Sequence, residues 1–81
     1  MRTSHAILLR LCHDPQYEFG KASVEYVNRG APDDRSTIQG DEILKLEQGG
    51  MEIKSEMGST YIPYHRIRKI SYNGGTMWTH A

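Results

Sequence analysis

The sequence has one cysteine, Cys12, so no intramolecular disulfide, zinc ribbon or thiol redox pair can be built. Its four histidines, His5, His13, His65 and His80, are scattered, and none shows the spacing that sets two metal ligands on one helix face. No metal and no cofactor is assigned. Long apolar runs are missing as well. The longest, from Ala6 to Cys12, is broken by Arg10, far short of the ~20 residues of a membrane span. It also lacks a small-residue cleavage site after it, which argues against a secretory leader and makes cytoplasm the expected compartment. Net charge is absent too: ten Lys and Arg balance ten Asp and Glu, so the broad basic excess of a duplex binder is not there. Nor is there a nucleophile elbow or a phosphate-binding glycine loop of the strand-loop-helix type. Hydrolase chemistry therefore lacks its usual parts, and the chain is expected not to be an enzyme.

What is present suits one folded domain over residues 1–81. The hydrophobic fraction is 37% and the charged fraction 25%, outside the disorder-prone range. A chain this short hides only about 60% of its unfolded surface, which leaves little room for a deep pocket.

Thr3 or Ser4 can cap a helix over residues 4–13, in which Ile7, Leu8 and Leu11 make a narrow apolar stripe where Cys12 is also expected. Pro15 disfavours helical geometry at Asp14, so the helix should stop there, with Asp14 free to make an Asx turn. Residues 23–28 are rich in β-branched and aromatic types and read as a strand closed by Arg29-Gly30. Residues 31–41 have the composition of a mobile loop. Alternation over 42–47 and 51–56 predicts a hairpin, with Gln48-Gly49-Gly50 supplying positive φ at its turn. Strand 60–62 runs into a kink at Pro63, a single turn follows, and strands 68–72 and 76–79 flank a second hairpin turn at Asn73-Gly74-Gly75. The predicted fold is α+β: one N-terminal helix packed on a twisted, barrel-like, mainly antiparallel sheet of five or six short strands.

The zero net charge conceals a gradient. In residues 41–60, Lys45 and Lys54 face Asp41, Glu42, Glu47, Glu52 and Glu56, a net charge of −3. The last 21 residues carry Arg66, Arg68 and Lys69 without an acid, a net charge of +3. The plainer account is ordinary solvated charge on strand faces; the sharper one is a local anion site. Tyr61-Ile62-Pro63-Tyr64-His65-Arg66-Ile67 is the segment that could carry the sharper one, because a proline-directed turn can set an imidazole beside a guanidinium. Arginine offers phosphate a planar fork of donors, and histidine adds another. The alternative for His65 is a structural histidine packed beneath the sheet. Arg29-Gly30 is a second candidate, the glycine permitting close backbone approach. Tyr72 and Trp78 are expected in the core rather than as stacking platforms.

These elements occur in an order that resembles a known family. His13-Asp14-Pro15 after a helix, then Tyr17, then Tyr26-Val27-Asn28-Arg29-Gly30-Ala31-Pro32, then Ile62-Pro63-Tyr64-His65-Arg66-Ile67 and Gly75-Thr76-Met77-Trp78 resemble the RNA cyclic-group end-recognition domain family over nearly the whole chain. The departure is His13, where the family often has Trp. The resemblance implies an RNA-binding module, found alone or joined to 2H phosphodiesterases, RNA ligases or nucleotidyltransferases, that recognises RNA ends bearing a 2′,3′-cyclic phosphate in RNA processing or repair. It implies Arg29, His65 and Arg66 as phosphate and ribose contacts and Tyr64 as a stacking neighbour, with Asp14, Pro15, Pro63 and Trp78 architectural. Two rivals remain at this point. One is a metal-independent phosphodiesterase or ribonuclease using His65 with His13 or His80 as acid and base. The other is an adaptor docking on an RNA-processing enzyme through a strand edge.

Overall fold

A computed structural model describes residues 3–80. Helix α1 (Ser4–His13) starts where Thr3 Oγ1 accepts a hydrogen bond from the Ala6 amide at 3.1 Å. Thr3 is thus the cap, and Ser4 is buried inside the first turn with Ile7, Leu8 and Leu11 on one stripe. The helix ends at Asp14, whose extended backbone obeys the restriction set by Pro15, and whose Oδ1 accepts from the Gln16 amide at 2.9 Å in an Asx turn. Cys12 does not share the apolar stripe: it lies on the exposed side of the helix.

Seven strands follow, arranged in two antiparallel sheets. They are β1 (Ala22–Val27), β2 (Arg35–Gln39), β3 (Ile43–Leu46), β4 (Gly50–Ser55), β5 (Gly58–Pro63), β6 (Ile67–Tyr72) and β7 (Gly75–Thr79). One sheet has the order β2-β1-β6-β7, the other β3-β4-β5. The expected barrel-like single sheet is therefore replaced by two sheets, and no barrel closes among the described residues. The added strand is β2, within the segment expected to be a mobile loop. Only Ile38 of β2 is buried, so its sequence shows no alternation, yet its backbone pairs with β1 from Ser23↔Gln39 to Val27↔Arg35. Tertiary pairing thus overrides a loop-like composition.

The β3–β4 hairpin forms as its alternation predicts, but its turn does not use positive φ at Gly49 or Gly50. Gly50 is needed for space: a Cβ there would stand 2.5 Å from the Ile62 carbonyl oxygen and 2.7 Å from Tyr61 Cζ on β5. The β6–β7 turn, by contrast, holds Asn73 at φ 51° and Gly74 at φ 87°, the left-handed pair that matches the twist of a two-residue hairpin. Pro63 ends β5 with φ −62°, and a 3-10 turn over Tyr64–Arg66 leads into β6.

One core joins these layers. Leu8 and Leu11 from α1, Val24 from β1, Met51 from β4, and Ile67 and Ile70 from β6 are fully buried in it. Tyr72 and Trp78 are half-buried at its margin rather than inside it. No helix among the described residues is long and apolar enough to cross a membrane.

Gly50→Ala should lower the unfolding free energy by about 1–3 kcal/mol, because the methyl group meets backbone that cannot swing aside. Urea denaturation read by circular dichroism measures this, with Gly20→Ala, which meets nothing closer than 3.9 Å, as the control.

Candidate functional site

Two segments far apart in sequence meet at one end of the four-stranded sheet. The first follows β1, where the chain turns through Asn28, Arg29 and Gly30. This turn is tied to its own return: the Asn28 amide donates to the Asp34 carbonyl at 2.7 Å, Asn28 Nδ2 donates to Ser36 Oγ at 2.8 Å, and the Gly30 amide donates to Asp34 Oδ1 at 3.3 Å. Gly30 is required for its φ of +96°; no close approach occurs there, since nothing lies within 4 Å of its Cβ position.

The second segment is the 3-10 turn Tyr64–Arg66, held between buried Ile62 and buried Ile67. Tyr64 locks this turn to the body of the protein. Its hydroxyl donates to the Glu47 carbonyl at 2.5 Å, its amide donates to the Gly49 carbonyl at 3.3 Å, and its ring stacks on His5 with centroids 4.4 Å apart. Burial, with Tyr61 and Glu47 nearby adding repulsion, pushes the Tyr64 phenol up to about 12. His65 and Arg66, next along the turn, are exposed. The arrangement with His65 beneath the sheet is thereby excluded.

The start of β6 supplies a third arginine. Pairing between β1 and β6 runs Glu25↔Lys69 and then Tyr26↔Ile67, so Arg68 is the extra residue of a β-bulge. Such a bulge re-aims its side chain relative to the regular alternation. Arg68 lines the same open cleft of about 470 Å³ as Arg29, His65 and Arg66, together with Val27 and Asn28. Tyr64 does not line it. Neither His13 nor His80 lines it, so His65 is its one histidine among the described residues.

Sequence reasoning had singled out Arg29, His65 and Arg66 but missed Arg68. A signal for it was present: Ile67 and Ile70 are both apolar at a spacing of three, which an unbroken strand cannot bury on one face.

The electrostatics of the cleft are one-sided. No Asp or Glu lines it, and among the described residues Arg29, Arg66 and Arg68 enter no ion pair within 4.0 Å. A neighbouring depression of about 510 Å³ differs, because Glu25 and Asp33 line it beside Arg35 and Arg35 Nη1 lies 3.6 Å from Glu25 Oε2. Uncommitted guanidinium groups offer planar pairs of donors to an oxyanion, and their exposure lets a terminal group enter without burying a charged side chain. No cluster of three or more His, Cys, Asp or Glu side chains is assembled among the described residues.

Fold and site together define a small α+β module presenting an arginine-lined surface cleft. The chain belongs to the MJ1316 RNA cyclic group end recognition domain family, whose sequence model matches residues 1–80. It is also similar to a UPF0248 protein of Pyrobaculum calidifontis (strain DSM 21063 / JCM 11548 / VA1), at 38% identity over 50 residues that make up 62% of this chain. The matched part spans 65% of that relative's length. No solved structure matches the chain.

Folding keeps the Tyr64 phenol neutral up to about pH 12, whereas an unfolded tyrosine ionises near 10. The stability this gives is complete below pH 10 and is lost as pH rises through 12, because the unfolded chain releases its proton first. Tyr64→Phe should cost about 1 kcal/mol at pH 8, the worth of one hydrogen bond. It should also flatten the decline between pH 10 and pH 12, as urea titrations across that range will measure.

Proposed function

We propose that this chain is a non-catalytic reader of RNA 3′ ends that carry a 2′,3′-cyclic phosphate. The observation that carries the reading is the convergence of Arg29, Arg66 and Arg68 with His65 on one cleft without an acid. The family description, RNA cyclic group end recognition, supports the same ligand. A cyclic phosphate is a monoanion whose 2′-oxygen is tied into the ring, so it offers two free oxygens to guanidinium donors and no 2′-hydroxyl. Charge alone favours a linear phosphomonoester, which carries more of it. Selectivity for the cyclic end therefore has to come from fit rather than charge.

Shallow, exposed contacts of this kind suit recognition of an end rather than of a sequence, and the balanced charge elsewhere keeps affinity for internal phosphates low. Such a module would deliver ends to an RNA ligase, a phosphodiesterase or a nucleotidyltransferase acting in RNA processing or repair.

The test is a titration of the purified chain with matched short RNAs ending in 2′,3′-cyclic phosphate, 3′-phosphate or hydroxyl, at low and high salt, with the same samples checked for cleavage. The cyclic end should bind tightest, with no turnover. Arg29→Ala, Arg66→Ala and Arg68→Ala should each weaken it by about ten- to hundredfold, the loss of one charge-assisted hydrogen bond. Turnover that disappears in His65→Ala would instead mark a metal-independent phosphodiesterase. Equal weak binding of all three ends would move the function to a protein adaptor.

A further inference from the structure

Beside the arginine cleft runs a second depression of about 310 Å³, between the end of β1 and the inner face of the β4–β5 hairpin. The two adjoin, with Val27, Asn28 and Arg66 lining both. Their chemistry differs. Ile53, Thr60 and Ile62 lie on one face of the hairpin, with Ile53 directly opposite Thr60 in the pairing, and the buried Ile53 and Ile62 sit beneath a rim that includes Asn28, Lys54, Ser55 and Tyr61. Tyr26 lines the groove from β1. That residue is only 7% exposed, and its hydroxyl has no hydrogen-bond partner among the described residues. No buried side-chain oxygen or nitrogen among them is left without a partner, and Tyr26 is one of the residues lining the groove.

We infer that this groove is a nucleobase subsite, taking the base of the terminal nucleotide whose cyclic phosphate occupies the arginine cleft, with the Tyr26 hydroxyl hydrogen-bonding the base edge. The inference rests on the end-reader assignment and adds the part of the ligand that assignment leaves free. A groove with Ile53 and Ile62 at its base, hydroxyl and amide side chains of Tyr26, Asn28, Ser55 and Thr60 along it, and Lys54 and Arg66 as cations is matched by a nucleotide: a flat heterocycle with polar edges covalently tied to an anion. Arg66 stands at the junction of the two depressions, where the ribose would lie. Unstacked terminal bases are the parts of an RNA that proteins can read by their edges, and a base with no 3′ neighbour leaves the stack at least cost.

The experiment compares the wild-type chain with Tyr26→Phe and Thr60→Phe, using the four nucleoside 2′,3′-cyclic monophosphates and a base-free methyl riboside 2′,3′-cyclic phosphate. Calorimetry or chemical-shift titration gives the affinities. The wild type should bind at least one cyclic nucleotide about fivefold or more tighter than the base-free probe, as a buried base face implies. Tyr26→Phe keeps the ring and removes only the hydroxyl; it should compress the differences among the four bases by about fivefold and leave the base-free probe unchanged. Thr60→Phe, at an exposed position, fills the groove and should reduce every nucleotide to the affinity of the base-free probe. If the base-free probe binds as tightly as the nucleotides, and Arg66→Ala weakens all of them alike, the base subsite is refuted while the phosphate reader stands. If no probe and no RNA end binds the wild type, the end-reader assignment falls and the subsite falls with it.

Discussion

Burial of both Ile67 and Ile70 on one face of β6 is the constraint from which the site follows. Side chains on a strand alternate, so two residues three apart reach the same face only if the strand carries an extra residue between them. Arg68 is that residue, and the break in the β1–β6 register at Tyr26↔Ile67 is where the strand absorbs it. The two isoleucines, both fully buried, hold the bulge open, and moving either to solvent would forfeit about 1.5–3 kcal/mol. The same Ile67 closes the 3-10 turn that carries His65 and Arg66. Hydrophobic burial thus places three of the four side chains, His65, Arg66 and Arg68, that converge on the cleft with Arg29.

The fourth, Arg29, is placed by hydrogen bonds. The turn after β1 is closed by Asp34, which accepts from the Asn28 amide through its carbonyl and from the Gly30 amide through its carboxylate. This acid is consumed locally and does not line the cleft. Glu25 is likewise paired with Arg35 on the neighbouring surface. A chain of zero net charge can therefore present an uncompensated positive surface, because no acid lines the cleft and five of its acids lie in residues 41–60. The consequence is a field that is local, which favours a terminal anion over an extended phosphate track.

Domain size shapes the site as strongly as charge does. A chain of 81 residues has one small core, here shared by the helix and both sheets, and nothing left over to enclose a ligand. Two of its concave features are open gaps beside the end of β1. One such gap is lined by arginines and the one adjoining it is floored by isoleucines, with Arg66 common to both. Tyr64 belongs to the wall between turn and core. Its hydrogen bond to Glu47 and its stack on His5 brace the cleft from behind without facing it.

Much of the local structure was legible in the residues themselves. Helix α1, its stop at Asp14, both hairpins and the turn after Pro63 follow from capping, periodicity and proline geometry, which act over a few residues. Arg29, His65 and Arg66 stood out as candidates because they stand in short, distinctive runs, and the fold brings them to one cleft. Strand β2 was hidden, since one buried residue makes no pattern and its partner, β1, is known only after folding. Gly50 was legible as a turn glycine but for the wrong reason, because the close approach of Ile62 and Tyr61 depends on β5. The division of the strands into two sheets, the outward bulge of Arg68 and the meeting of Arg29 with Arg66 were tertiary decisions. Each depends on which strands pair and which apolar side chains share a core, and those are long-range contacts that no local preference encodes.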